Sequence, residues 1–115
     1  MKLPGIEKAR VGEAKIVKYL LSATHRAGKS KAAFFMEFGF ASERWEELER
    51  ALRQHATDNE IAREERTIFG TRYVIDGLLQ APDGRLLNVR TAWFIDNDGD
   101  TPRFITAHPL RRRSP

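Results

Sequence analysis

The clearest pattern along the chain is an alternation of apolar and polar positions over residues 86–95. A period of two is typical of a β-strand that buries one face. The odd-numbered face is apolar apart from one threonine, so we expect it to pack against helices. The even-numbered face carries an arginine in mid-strand. The odd face consists of Leu87, Val89, Thr91, Trp93 and Ile95, and the even face of Leu86, Asn88, Arg90, Ala92 and Phe94.

Turn signals on both sides predict that this strand is the middle of a meander. Proline, aspartate and glycine at residues 82–84 favour a tight turn, and residues 96–100 are three aspartates, an asparagine and a glycine. Residues 71–79 and 103–107 have the composition of flanking strands. Residues 61–69 alternate weakly and carry many charges, which is typical of an edge strand protected from aggregation.

Two consequences follow from this meander. Gly77 lies inside a predicted strand, which indicates a bulge or the close approach of another segment. If the registers of the hairpins hold, Asp76, Arg90 and Arg103 would cluster on one surface; a slip of one residue would move each side chain to the other face.

Upstream of the strands, apolar residues recur at helical spacing. A glycine such as Gly12 destabilises a helix interior by about 1 kcal/mol relative to alanine, so the first helix is expected to begin near Glu13. The predicted helices cover residues 7–24, 31–38 and 43–56.

Two groups of residues define the expected helical core. The four phenylalanines Phe34, Phe35, Phe38 and Phe40 are predicted to be core residues. The third helix should bury the stripe Trp45, Leu48, Leu52 and His55, with His55 as a hydrogen-bonded core histidine, and expose Glu46, Glu47, Glu49, Arg50 and Arg53. The sequence therefore predicts an α+β fold: three N-terminal helices packed on a three- to four-stranded antiparallel β-meander.

Composition indicates one domain over residues 1–115, with an ordered core at about 6–109 and a basic tail at 110–115. Hydrophobic residues make up 41% and charged residues 31%, as in an ordinary globular protein. No apolar run approaches the ~20 residues of a membrane helix, and the first ten residues lack the apolar core of a signal peptide. We therefore expect a cytoplasmic protein without membrane contact. The absence of cysteine excludes disulfides, thiolate zinc sites and cysteine nucleophiles.

The net charge of +4 permits phosphate binding without requiring it. Gly28-Lys29-Ser30 resembles the end of a P-loop, but Ala23 stands where that pattern needs glycine, and a helix rather than a strand precedes it. A nucleoside triphosphatase is therefore rejected. What remains is a cationic loop before a helix. Arg26, Lys29 and Lys31 would bring positive charge and the free backbone N–H groups after Ser30 would bring donors, so that together they would hold a phosphate. The alternative is that both lysines are simply solvated.

The three histidines, His25, His55 and His108, match no zinc pattern, and the aspartates of residues 96–100 lack the glutamate of a calcium loop. We therefore expect neither a metal nor a cofactor. His25 lies beside loop cations, which favour its neutral form near pH 7 and leave it available as a base. One histidine with arginines is sufficient for metal-free RNA cleavage, in which the 2′-hydroxyl attacks its own phosphate.

Several short motifs together resemble a known family. They are Tyr19-Leu20-Leu21, His25-x-x-Gly28-Lys29-Ser30-Lys31-Ala32, Gly70-x-x-Tyr73, Pro82-x-Gly84-Arg85, Val89-Arg90-Thr91-x-Trp93 and Pro102-Arg103-x-x-Thr106-Ala107-x-Pro109. The chain resembles a small bacterial domain of unknown function that occurs alone and at the C-termini of larger bacterial and phage-related proteins, some of toxin type. Its layout is also similar to the barnase–EndoU–colicin–RelE class of ribonuclease toxins.

The second resemblance implies roles for particular residues. His25 would be the catalytic base or acid, with Arg90, Arg103 and Thr106 completing the catalytic set. The phosphate-binding set would be Lys29, Ser30, Lys31 and Thr91. The sequence departs from the class in having His108 where a tyrosine is expected.

The sequence thus predicts a metal-independent endoribonuclease of bacterial toxin type, with RNA as substrate and an inhibitory antitoxin or immunity protein as partner. One alternative is a non-catalytic module that binds nucleic acid or an acidic protein. A second is an accessory domain in which Arg90 and Arg103 pair with Asp76 or Glu64 and have no further role.

Overall fold

The computed structural model describes residues 1–21 and 29–110, with the backbone alone for Lys29 and Ser30. Its helices are α1 Glu13–Lys15, which continues as a π-helical segment Ile16–Leu20, α2 Lys29–Glu37 and α3 Trp45–Asp58, with 3-10 turns at Ile6–Lys8 and Ser42–Arg44. The strands are β1 Ile61–Arg66, β2 Gly70–Gln80, β3 Leu86–Asp96 and β4 Arg103–Pro109. The helical part extends to Asp58, past the middle of the chain. None of the described helices has the length and apolar content needed to cross a membrane.

The four strands pair in the order β1-β2-β3-β4, and every neighbouring pair is antiparallel. The predicted α+β class and its antiparallel meander are therefore confirmed. Between β3 and β4 the register shifts after Ala92, which leaves Ile105 as an extra residue on β4. Because of this bulge, Thr106 and His108 share one face of the sheet with Ala92 and Arg90.

The other face of β3 packs on the helices, as the alternation predicted. Leu87, Val89, Thr91 and Trp93 are all at most 3% exposed. The Trp93 ring meets Phe104 edge to face with centroids 5.3 Å apart. The core on this face includes Ile16, Leu20, Phe35, Phe40, Leu48 and Leu52.

A directed chain of hydrogen bonds lies in this core. The Trp93 indole N–H donates to the Thr91 hydroxyl at 3.0 Å, and that hydroxyl lies 3.2 Å from Nδ1 of His55. Nε2 of His55 lies 2.9 Å from the carbonyl oxygen of Val89. A carbonyl only accepts, so Nε2 carries the proton and Nδ1 accepts from Thr91. His55 is therefore the hydrogen-bonded core histidine that the stripe predicted, and burial lowers its pKa.

The predicted N-terminal helix over residues 7–24 does not extend through residues 9–12, whereas its start near Glu13, which Gly12 indicated, is confirmed. The chain is extended around Arg10, which forms a backbone bridge to Arg103, and α1 begins at Glu13 after Gly12. The N–H of Val11, outside any helix, donates to the carboxylate of Glu49 at 3.0 Å. Glu49 also pairs with an arginine one turn along α3 and is only 7% exposed, so the prediction that it faces solvent was wrong.

Candidate functional site

Three polar side chains from separate elements converge at the edge of the sheet formed by β4. The Lys31 ammonium of α2 donates to the hydroxyl of Tyr19 at 2.9 Å and to the hydroxyl of Thr106 at 2.8 Å. Tyr19 belongs to the π-helical segment and Thr106 to β4. We call this group the Tyr19–Lys31–Thr106 cluster. It brings together two residues that the sequence analysis had selected, Lys31 and Thr106, although they are 75 positions apart.

Local packing fixes the positions of these groups. In the π-helical segment Ile16 and Leu20 are buried, which leaves Tyr19 half-buried at the rim. On α2, the buried residues Ala32 and Phe35 pack the helix against the core. The aliphatic part of the half-buried Lys31 side chain lies along the surface, and its ammonium reaches the cluster. The backbone on both sides of the cluster is therefore anchored in the core.

The cluster is electrically positive. The Lys31 ammonium lies 4.9 Å and the Lys15 ammonium 5.0 Å from the centroid of the Tyr19 ring. The pKa of the Tyr19 hydroxyl is lowered, chiefly by the hydrogen bond from Lys31 and then by the one with Thr106. Within the described residues neither lysine forms an ion pair with a carboxylate. An ammonium has three N–H donors, and the two contacts of Lys31 leave one for an incoming anion.

Arg90 lies on the face of β3 opposite to Val89, Thr91 and Trp93, and its charge is neutralised. Its guanidinium donates two hydrogen bonds to the Asp76 carboxylate, at 2.7 and 2.9 Å, and lowers the pKa of Asp76. Asp76 and His108 are its partners across the two neighbouring strands. Asp76 and Arg90 therefore do share a surface, as expected, but the pairing removes the free guanidinium that a phosphate would need.

Arg103 is also paired. It contacts both carboxylate oxygens of Asp96 at 3.2 Å, and its guanidinium lies 5.3 Å from the Phe94 ring centroid. Phe94, its partner on β3, lies four residues from Arg90, or about 13 Å along the strand. The expected cluster of Arg90 with Arg103 is therefore divided into two separate ion pairs.

Thr91 requires a correction. It was expected to bind phosphate, but it is 0% exposed and its hydroxyl is hydrogen-bonded within the core chain with Trp93 and His55. A phosphate cannot reach a hydroxyl that solvent does not reach. Thr91 is a structural residue.

The remaining predicted site residues are outside the described part of the structure. His25 falls in residues 22–28, and the side chains of Lys29 and Ser30 are likewise not described. Their proposed roles therefore stay predictions from the sequence.

Tyr19 and Lys15 are the members of the site that the sequence analysis did not select. From the sequence, Tyr19 entered only through the motif Tyr19-Leu20-Leu21, and Lys15 was not singled out. Their spacing of four residues, which places a cation beside an aromatic ring on a helical turn, was an available signal. A tyrosine that ends an apolar stripe also presents a polar hydroxyl, which needs a partner when it is half-buried.

Comparison with known proteins identifies the family. The family described as "Domain of unknown function (DUF6883)" matches residues 2–111. No curated protein matches the sequence. A chain in the contact-dependent growth inhibition toxin–immunity protein complex from Klebsiella pneumoniae 342 has a similar structure, with a TM-score of 0.74 and 20% sequence identity over 93% of this chain and 97% of that chain. At this identity the similarity shows a shared fold. Because the family match spans nearly the whole sequence, the chain belongs to the DUF6883 family of domains of unknown function, the kind of family that its motifs resembled.

Proposed function

We propose that this domain is a toxin-type endoribonuclease that cleaves RNA without a metal ion at the Tyr19–Lys31–Thr106 cluster. The observation that carries the proposal is the convergence of an ammonium, a hydroxyl and a phenol of lowered pKa, with no neutralising carboxylate among the described residues. The fold shared with a chain of a toxin–immunity complex supports the toxin part of the proposal. The same similarity motivates an inhibitory immunity protein as partner.

The reaction that suits this set of groups is an internal transesterification. The ribose 2′-oxygen attacks the adjacent phosphorus, the bond to the 5′-oxygen breaks, and the products carry a 2′,3′-cyclic phosphate and a free 5′-hydroxyl. One proton must leave the 2′-oxygen and one must reach the 5′-oxygen. No metal is needed, provided that cationic donors stabilise the charge that develops on the phosphate.

We assign these tasks to the residues as follows. The remaining N–H of Lys31 and the hydroxyl of Thr106 hold the phosphate oxygens. Tyr19 protonates the leaving 5′-oxygen, because a phenol of lowered pKa is a stronger acid. His25 removes the proton of the 2′-hydroxyl, a role that rests on the sequence. It lies in the segment that joins the ends of the elements bearing Tyr19 and Lys31.

The test is incubation of purified domain with end-labelled RNA in EDTA, with detection of the cyclic phosphate. We expect cleavage by the wild type and a loss of about 100-fold or more in Lys31→Met, the size expected for losing one donor to a developing anion. Lys18→Met is the matched control, because Lys18 is an exposed lysine of the same π-helical segment as Tyr19. It should cleave like the wild type. Intact RNA at high protein concentration, or equal rates for both variants, would contradict the proposal.

One observation favours a non-catalytic binding module instead. Arg90 and Arg103, both expected in the catalytic set, are paired with carboxylates. Under this alternative the cationic cluster only holds an anionic partner. RNA that is bound in a salt-dependent manner but stays intact, with no change in His25→Ala, would favour the binding module over the enzyme.

A further inference from the structure

We infer that the groove beside the Tyr19–Lys31–Thr106 cluster binds a single RNA strand next to the cleaved phosphate; this inference rests on the proposed function. The groove has a volume of about 460 Å³ and lies between the N-terminal segment and the start of β4. Its lining includes Lys8, Arg10, Lys15, Arg103 and Phe104.

The groove and the cluster are continuous. Lys15 lines the groove, and its ammonium lies 5.0 Å from the Tyr19 ring centroid. β4 contributes Arg103 to the groove and, three residues on, Thr106 to the cluster, a separation of about 10 Å along a strand. A ligand that occupies the cluster with one phosphate therefore extends into the groove with the neighbouring nucleotide.

The groove carries unneutralised positive charge. Lys8 is paired with Asp100 and Arg103 with Asp96. Arg10 and Lys15 form no ion pair with a carboxylate of the described residues. One N–H group of Arg10 donates to the carbonyl of Ala9 at 2.7 Å, and a guanidinium has further donors for a phosphate. The groove is therefore complementary to a second phosphate of the same ligand, adjacent to the phosphate bound at the cluster.

The apolar residues of the lining are Val11, Pro102 and Phe104, and all three are buried. A ligand in the groove therefore meets chiefly the cations that line it, which suits the phosphates of a nucleic acid strand. A volume of this size accommodates a ligand no larger than one or two nucleotides. On the face of the sheet that carries Arg90, this arginine is neutralised by Asp76 and adds no free cation for the wider backbone of a duplex. These features favour an unpaired strand over a duplex.

The test measures binding separately from cleavage. The probe is a fluorescein-labelled single-stranded 2′-O-methyl hexanucleotide, which cannot be cleaved because it lacks the attacking hydroxyl. Its affinity is measured in EDTA at several salt concentrations. A duplex of the same sequence is measured in parallel. Three unpaired cations, Arg10, Lys15 and Lys31, predict a slope of log affinity against log salt of about −2. Arg10→Gln and Lys15→Gln should each weaken binding up to about five-fold and make the slope shallower by about 0.7.

The matched control is Arg66→Gln, the same change on β1, at the opposite edge of the sheet from β4. It should bind like the wild type. Unchanged affinity and slope in both groove variants, no binding of the hexanucleotide by the wild type, or equal binding of the duplex would overturn the inference. The proposed function fails on a different result, the absence of RNA cleavage by the wild type, so the two failures are distinguishable.

Discussion

At the scale of single residues, burial decides which polar groups are available for chemistry. Thr91 and Thr106 are both strand threonines within the family motifs, and both were given roles by the resemblance to ribonuclease toxins. Thr91 is completely buried, whereas Thr106 meets Lys31 at the rim of the sheet. The alternation over residues 86–95 had already assigned Thr91 to the buried face, so the local pattern was a better guide than the motif. The position of Thr106 depends on a bulge at Ile105, which no local pattern signals.

His55 makes stability depend on pH. Burial lowers its pKa in the folded state, while in the unfolded chain it titrates near its ordinary value of about 6.5. Below that value the unfolded state binds the proton and the folded state does not, so acid favours unfolding. We expect the free energy of unfolding to fall by up to about 1.4 kcal/mol per pH unit between pH 6.5 and 5.

The comparison is His55→Gln, whose amide keeps a donor and an acceptor but does not titrate. It should be less stable than the wild type at pH 7.5 and lose less stability between pH 7 and 5. Urea unfolding at each pH measures both quantities. His25 and His108 are present in both proteins, so their contribution cancels in the difference. Parallel pH profiles would show that His55 is not the responsible group.

At the scale of elements, the strands and the start of the first helix were predictable, but the extended segment before that helix was not. A period of two repeated over ten residues specifies both the strand and its buried face. The extended segment from Ala9 to Gly12, which interrupts the predicted helix, instead depends on distant partners. The backbone of Arg10 forms a β-bridge with Arg103 on β4, and the N–H of Val11 donates to the carboxylate of Glu49 on α3. Gly12 indicated where the helix begins, but a local pattern contains no information about the acceptors that hold the extended segment.

The contact between α3 and β2 depends on Gly77, where the sequence indicated a bulge or a close approach. Asn59 ends α3, and its side-chain amide donates to the carbonyl of His55 at 2.8 Å. A Cβ on residue 77 would overlap that amide. We expect Gly77→Ala to cost about 1–3 kcal/mol of stability because Asn59 must leave its position.

A double-mutant cycle in urea tests this contact. Asn59→Ala removes both the cap and the obstacle, so Gly77→Ala should cost much less in its presence than alone. Gly99→Ala is the matched control, because a Cβ there has no neighbour closer than 3.7 Å. Additive costs in the cycle would mean that Gly77 is required for a reason other than Asn59.

At the scale of the whole molecule, two groups of cations differ in their partners. Across the sheet, Arg90 is neutralised by Asp76 and Arg103 by Asp96. At the edge of β4, Lys15 and Lys31 form no ion pair with a carboxylate of the described residues; their ammonium groups lie 5.0 and 4.9 Å from the Tyr19 ring centroid, and Lys31 also binds Thr106. The residue types could be read from the sequence, but their separation could not, because ion pairing across a sheet follows from its register. Two ammonium groups are thus concentrated beside Tyr19 and Thr106, although the net charge of the domain is only +4.

This concentration leads to a prediction for the living cell. If the edge of β4 cleaves RNA, expression of the domain without its proposed inhibitor should arrest bacterial growth and degrade RNA, because one catalyst acts on many substrate molecules. Removing the Lys31 ammonium should abolish both effects without unfolding the domain, since Lys31 is half-buried and forms no ion pair among the described residues. The measurement is growth after induction together with gel analysis of total RNA, for wild type, Lys31→Met and Lys18→Met at equal protein abundance. Arrest by wild type and Lys18→Met but not by Lys31→Met is the expected result. Arrest by all three with intact RNA would mean that toxicity does not come from this cluster.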